Sequence, residues 1–147
     1  MSSLFNSVYE ISLRMLIQLF VLNREARTSD YISCIDYLSL YSKSFKFGNY
    51  DLHGQKPYRF SELASRIKLG KKALKLLVSK GYASVSAENQ GFIFQITDSG
   101  KQVVDSLKLE YAMIYTELAI ETQEHFKEYS DSEILKYING ISRERSL

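Results

Sequence analysis

The sequence predicts a mainly α-helical chain with one small β-hairpin, folded as a winged helix-turn-helix with additional long N-terminal and C-terminal helices. Three observations in residues 57–100 carry this. Ser61 stands as an N-cap before an apolar helical pattern that breaks at Lys68-Leu69-Gly70; a second pattern then runs from Lys71 to Lys80, with Ala73, Leu74, Leu77 and Val78 at helical spacing and Gly81 as its C′ residue. Tyr82–Ser86 and Phe92–Ile96 read as two short strands joined through Glu88-Asn89-Gln90-Gly91, a hairpin signal. Thr97-Asp98-Ser99-Gly100 then caps a further helix. Helix, turn, helix, hairpin, helix is the order of the winged form of a DNA-reading motif.

The flanking elements follow in order. Phe5–Asn23 reads as a long first helix that is apolar over most of its circumference, so it is expected to be buried on more than one side. Only Glu10, Arg14 and Gln18 form a polar stripe, and the first two are spaced for an i, i+4 pair unless one of them reaches into a loop. Thr28-Ser29-Asp30 caps a second helix running to about Tyr41, with Tyr31, Cys34, Ile35, Leu38, Tyr41 and Phe45 as its apolar side. Ser44–Arg59 is a long irregular piece punctuated by Gly48, Gly54 and Pro57, and loops of this length inside compact domains are often functional. Ser99 to about Tyr129 reads as one long helix with an acidic outer face, after which Ser130-Asp131-Ser132-Glu133 is a capping box. That box introduces a short last helix, Ile134–Asn139, ended by Gly140 and followed by a charged tail. Residues 1–129 are thus read as a winged-helix domain with flanking helices, its core at about 57–100, and 130–147 as a short C-terminal helix and tail.

Composition bounds the function. The 147 residues suit one domain with a helical extension, and 45% apolar content suffices for a core. One cysteine precludes an intrachain disulfide, and with two histidines it cannot assemble a zinc site of the usual kind. No apolar run approaches the ~20 residues that span a bilayer, so no membrane association and a cytoplasmic location are expected. No glycine-rich phosphate loop, catalytic triad or carboxylate pair has supporting context, so neither an enzyme nor a cofactor is expected. Cys34 on its apolar stripe reads as a small buried hydrophobe rather than a nucleophile.

Charge points elsewhere. From Lys56 to Lys80 there are eight basic residues against one acid, Glu62, whereas the whole chain carries only +2. Lys68, Lys71, Lys72 and Lys75 fall at i, i+3, i+4 and i+7, on one helix face, and Arg66 adjoins them. Such a face suits the phosphates of duplex DNA or an acidic protein surface. It lacks the Asn and Gln that read bases, so sequence-specific recognition is not expected.

Several ordered pieces carry a resemblance. Tyr9-Glu10-Ile11-Ser12-Leu13-Arg14, Asp36-Tyr37-Leu38, Leu52-His53-Gly54, Pro57-Tyr58-Arg59-Phe60-Ser61-Glu62 and Ala73–Gly81 together resemble the middle component of the bacterial ABC-three-component systems, over roughly residues 5–125. The resemblance implies a small adaptor subunit acting with an SMC-like or ABC-type ATPase and an effector subunit of the same operon. Such systems look like defence modules against phage or plasmid DNA, related to the Lamassu type. It also singles out Glu10, Arg14, Asp36, His53, Gly54 and Arg59 as structural or interface residues. Arg59 or His53 is expected to bond a carboxylate or backbone group on the first two helices, with Glu10 and Asp36 the nearest candidates. The alternative reading is a stand-alone transcription regulator whose long terminal helices form a homo-dimer.

Overall fold

A computed structural model of the chain describes residues 7–49, 51–52 and 60–146. The elements in chain order are α1 (Val8–Leu22), β1 (Arg27–Thr28), α2 (Ser29–Leu40), α3 (Phe60–Ser79), β2 (Ala83–Glu88), β3 (Gly91–Ile96), α4 (Asp98–Asp105), α5 (Glu110–Phe126) and α6 (Asp131–Ser146). The chain is therefore mainly helical with a small antiparallel sheet, as the sequence predicts. The sheet has three strands in the order β1-β3-β2, because Arg27 and Thr28 pair with Phe94 and Ile93 at the far edge of the hairpin.

Helix ends follow local chemistry. Ser7, Thr28 and Thr97 each accept a backbone N–H three residues on, from Glu10, Tyr31 and Gly100, which caps α1, α2 and α4. The capping box before α6 forms as read: Ser130 Oγ accepts from Glu133 N at 3.2 Å, and the Glu133 carboxylate accepts from Ser130 N at 2.9 Å. Those hydrogen bonds hold the Glu133 carboxyl below its usual range. Gly81, at φ +80°, ends α3 with Gly81 N donating to Val78 O and Tyr82 N to Leu77 O.

Three boundaries differ from the sequence reading. The expected break at Lys68-Leu69-Gly70 is absent, and α3 is one helix of 20 residues, so no helix-turn-helix lies within 60–79. Gly70 serves packing instead: a Cβ there would sit 2.1 Å from Ser33 Oγ, so the glycine lets α3 press against α2. The stretch expected as one helix from Ser99 to Tyr129 is two, α4 and α5. The Ser106 hydroxyl and N–H both donate to Val103 O, closing α4, and Leu109 is extended at φ −74°, ψ 134°. At the C-terminal end, α6 runs through Gly140 to Ser146 rather than stopping at Asn139.

Two buried clusters meet at α1 and α2. One holds Ile11, Met15, Leu16 and Leu19 of α1 against Ala73, Leu74 and Leu77 of α3 and Phe94 and Ile96 of β3. The other gathers Tyr37, Leu38 and Tyr41 with Phe45, Tyr115 and Ala119 of α5, and Ile134, Ile138 and Ile141 of α6. Every residue from Tyr31 to Ser42 is buried, because α2 is covered by α1, α3, α5 and α6. The start of the irregular segment is ordered on this core. Tyr41 bridges to Asp51, whose carboxylate accepts from Ser44 N, and Phe47 stacks on His125 with ring centroids 5.2 Å apart. No helix among the described residues is long and apolar enough to cross a membrane.

Candidate functional site

The outer face of α3 is the exposed basic feature. Ala73, Leu74 and Leu77 turn inward and are buried, which places Lys68, Lys71, Lys72 and Lys75 on the opposite side, all exposed. Spacing alone predicts this row, and the structure brings the four lysines together. Arg66 is not among them. Its side chain is 10% exposed, it pairs with Glu62 at 3.4 Å, donates to the Tyr41 hydroxyl and lies over the Tyr37 ring at 5.1 Å. Its charge is directed into the α2 aromatic wall, not to the surface.

Beside the lysines lies a groove of about 460 Å3 between α3 and the hairpin. Lys71, Lys75 and Val78 form one wall, Val85, Phe92 and Phe94 the other, and Asp30 and Asp131 close one end. Sequence reading missed the groove, since it depends on how α3 packs against the sheet. Exposed Phe92 and Val85 in an otherwise alternating hairpin were its one visible signal.

The second constellation is buried. Arg14 and Asp36 form a two-pronged pair, Arg14 Nε to Asp36 Oδ1 at 2.9 Å and a guanidinium nitrogen to Oδ2 at 3.5 Å. Tyr115 donates to Asp36 Oδ1 at 2.6 Å and accepts from Gln18 Nε2 at 2.7 Å. Gln18 Nε2 also donates to Ser39 Oγ at 2.9 Å, while Gln18 Oε1 accepts from Gln123 at 2.8 Å. Three helices, α1, α2 and α5, are thus tied by one polar network in the core. Burial is the largest single influence on Arg14 and would lower its pKa, but the Asp36 charge, the tyrosines Tyr115 and Tyr111 and the hydrogen bond to Asp36 together outweigh it and hold the guanidinium above its usual value. Burial, then the Asp36 charge, pushes the Tyr115 phenol well up.

The polar stripe at Glu10, Arg14 and Gln18 is real, but at Arg14 and Gln18 it faces the core. Glu10 sits half-buried in the first turn of α1. Asp36 is engaged by Arg14 and Tyr115. His53, Gly54 and Arg59, and with them the bond expected from the long loop, lie outside the described residues. Tyr115 and Gln123 escaped notice because each falls in a stripe read only as apolar or acidic.

Cys34 is buried and its thiol is pushed up to about 12 by that burial. Among the described residues no group of three or more His, Cys, Asp or Glu could hold a metal ion.

No curated protein and no solved structure matches the chain. A protein-family comparison does, over residues 4–146, which includes both the lysine row and every member of the buried network. The chain belongs to the family described as ABC-three component (ABC-3C) system Middle Component 2.

Proposed function

We propose that this protein is a non-catalytic winged-helix adaptor of a multi-subunit defence complex against phage or plasmid DNA. It would act in the cytoplasm beside an SMC- or ABC-type ATPase and an effector subunit of the same operon. Membership in a middle-component family supports a place in a multi-component system. The element order α1-β1-α2-α3-β2-β3, with β1 outside β3, supports the winged-helix reading, now with α2 and α3 as the paired helices. In this reading Ser42–Arg59 is an insertion between them.

The observation that carries the proposal is the row Lys68, Lys71, Lys72 and Lys75, exposed on α3 beside the hairpin. Four cations without an acid among them suit phosphates regardless of base sequence. Binding to duplex DNA is then non-specific and steeply salt-dependent. Replacing Lys71 and Lys72 by Ala is expected to flatten the slope of log affinity against log salt by about two, since each phosphate contact contributes ~0.9. Fluorescence anisotropy on several unrelated duplexes measures it. An unchanged slope, together with a weakened complex with the ATPase subunit, would assign the row to an acidic protein surface instead. A footprint on one defined sequence would favour a stand-alone regulator.

A further inference from the structure

One face of α5 has no cover among the described residues. Its buried side carries Ala112, Tyr115, Leu118, Ala119, Thr122 and Phe126. Away from these, Leu109, Met113, Thr116 and Ile120 follow at i, i+4, i+7 and i+11, which aligns them in a single stripe. Leu109 is 60%, Met113 63% and Ile120 53% exposed, values that singly are ordinary but in a row are not.

The stripe is the floor of a channel. Two hollows of about 680 and 330 Å3 lie along it in succession and meet at Phe20 and Thr116, which line both. The end of α1 (Phe20, Val21, Leu22) and the α4 side (Val104, Leu107) form the opposite wall. From Met113 to Lys127 the channel follows α5 for about 21 Å, the length of a four-turn helix. An amphipathic helix is the shape such a channel fits.

Charge selects the occupant. Glu117 and Glu124 line one rim, and Glu110, at i against i+7 and i+14, continues the exposed row just beyond its end, with Glu121 behind them. Only Lys127 offsets the row, pairing with Glu124 at 3.1 Å while both side chains stay more than half exposed. The facing wall is mixed, with Lys101, Asp105 and Glu25. A second copy of this chain lying antiparallel would set the glutamate row against itself.

We infer that this channel docks a basic amphipathic helix of a partner subunit, its apolar seam on Met113 and Ile120 and its Lys or Arg flank along Glu110, Glu117 and Glu124. The inference relies on the adaptor reading only for the source of the helix. The channel lies on α5, and the lysine row on α3, so the two surfaces can be tested apart.

The probe is a labelled, hydrocarbon-stapled 15-residue helix with a leucine seam flanked by arginines, compared with a twin in which each Arg is Glu. The basic helix is expected to bind at least tenfold more tightly to the full chain by anisotropy. Met113→Ser with Ile120→Ser should abolish that binding, and Glu117→Lys with Glu124→Lys should reverse the preference. These side chains are exposed, and circular dichroism verifies that the variants keep the fold. Lys71→Ala with Lys72→Ala should leave peptide binding unchanged, so loss of the DNA slope alone speaks to the adaptor reading and not to the channel. Equal binding of the twins, no binding of either, or binding indifferent to the Met113 and Ile120 changes overturns the inference. So does a dimer in sedimentation that Ile120→Ser converts to monomer, because the channel would then belong to a second copy.

Discussion

Asp36 shows how much one buried charge can organise. It neutralises Arg14, accepts from Tyr115 and through Tyr115 reaches Gln18 and Gln123. Removing one partner of a buried pair leaves the other charge without compensation, which costs more than the pair contributes. Asp36→Ala is therefore expected to lower the unfolding free energy by about 3–5 kcal/mol, measured by urea denaturation. Arg14→Met with Asp36→Leu should recover most of that loss, since shape is retained and no charge remains buried. A single change costing less than about 1 kcal/mol would mean that water or a neighbour replaces the missing carboxylate. The residue spacing made the Arg14–Gln18 stripe legible, yet spacing says which residues share a face and not which way the face looks. A polar stripe between two apolar ones reads as solvent-facing until a second polar stripe is found to cover it. Here the cover comes from scattered residues on α2 and α5, Asp36 and Ser39 set among apolar neighbours and Gln123 within an acidic stretch.

At the scale of elements, Gly70 separates propensity from packing. In an isolated helix Gly→Ala stabilises by about 1 kcal/mol. In α3 the added methyl meets Ser33 Oγ at 2.1 Å, and overpacking costs about 1–3 kcal/mol. Gly70→Ala is expected to destabilise despite its better propensity, and Ser33→Ala in the same chain to restore stability, because the Ser33 hydroxyl is buried with no hydrogen-bond partner among the described residues. Thermal unfolding of the two singles and the double checks this, and additive effects would argue against the contact. The same glycine explains the one wrong turn in reading α3, since a glycine that permits close approach looks in sequence like one that ends a helix. The hairpin, the caps at Thr28, Thr97 and Ser130 and the inward side of α3 were legible because turn chemistry and periodicity are local, whereas Ser61, read as an N-cap, lies one residue inside α3, which already begins at Phe60. The break between α4 and α5 was not, for Ser106-Leu107-Lys108 holds no proline or glycine and the chain turns there only to bring α5 across α1.

Over the whole molecule, opposite charges are held apart, with lysines on α3 and glutamates on α5, while one thiol and three phenols inside share one bias. Burial raises the pKa values of Cys34, Tyr31, Tyr111 and Tyr115. In each case the folded state keeps a proton that the unfolded chain releases, so their contribution is complete below the ordinary values and is lost as pH rises past them. Stability is expected to fall above about pH 9, first from Cys34 and then from the tyrosines. Urea titrations between pH 7 and 11 would show it, with Tyr115→Phe flattening the upper part, and a profile level to pH 11 would contradict it. The path of the chain has a further consequence. Gln18 and Gln123 are 105 residues apart, and Thr28, which caps α2, also donates to Asp131 at 2.6 Å across 103 residues. At a synthesis rate of about 5–20 residues per second, the first two helices emerge from the ribosome roughly 5–20 s before the residues that complete them. Through that interval Arg14, Gln18 and the apolar side of α1 lack α5 and α6, and the nascent chain is exposed to chaperones and to premature association until its last third arrives.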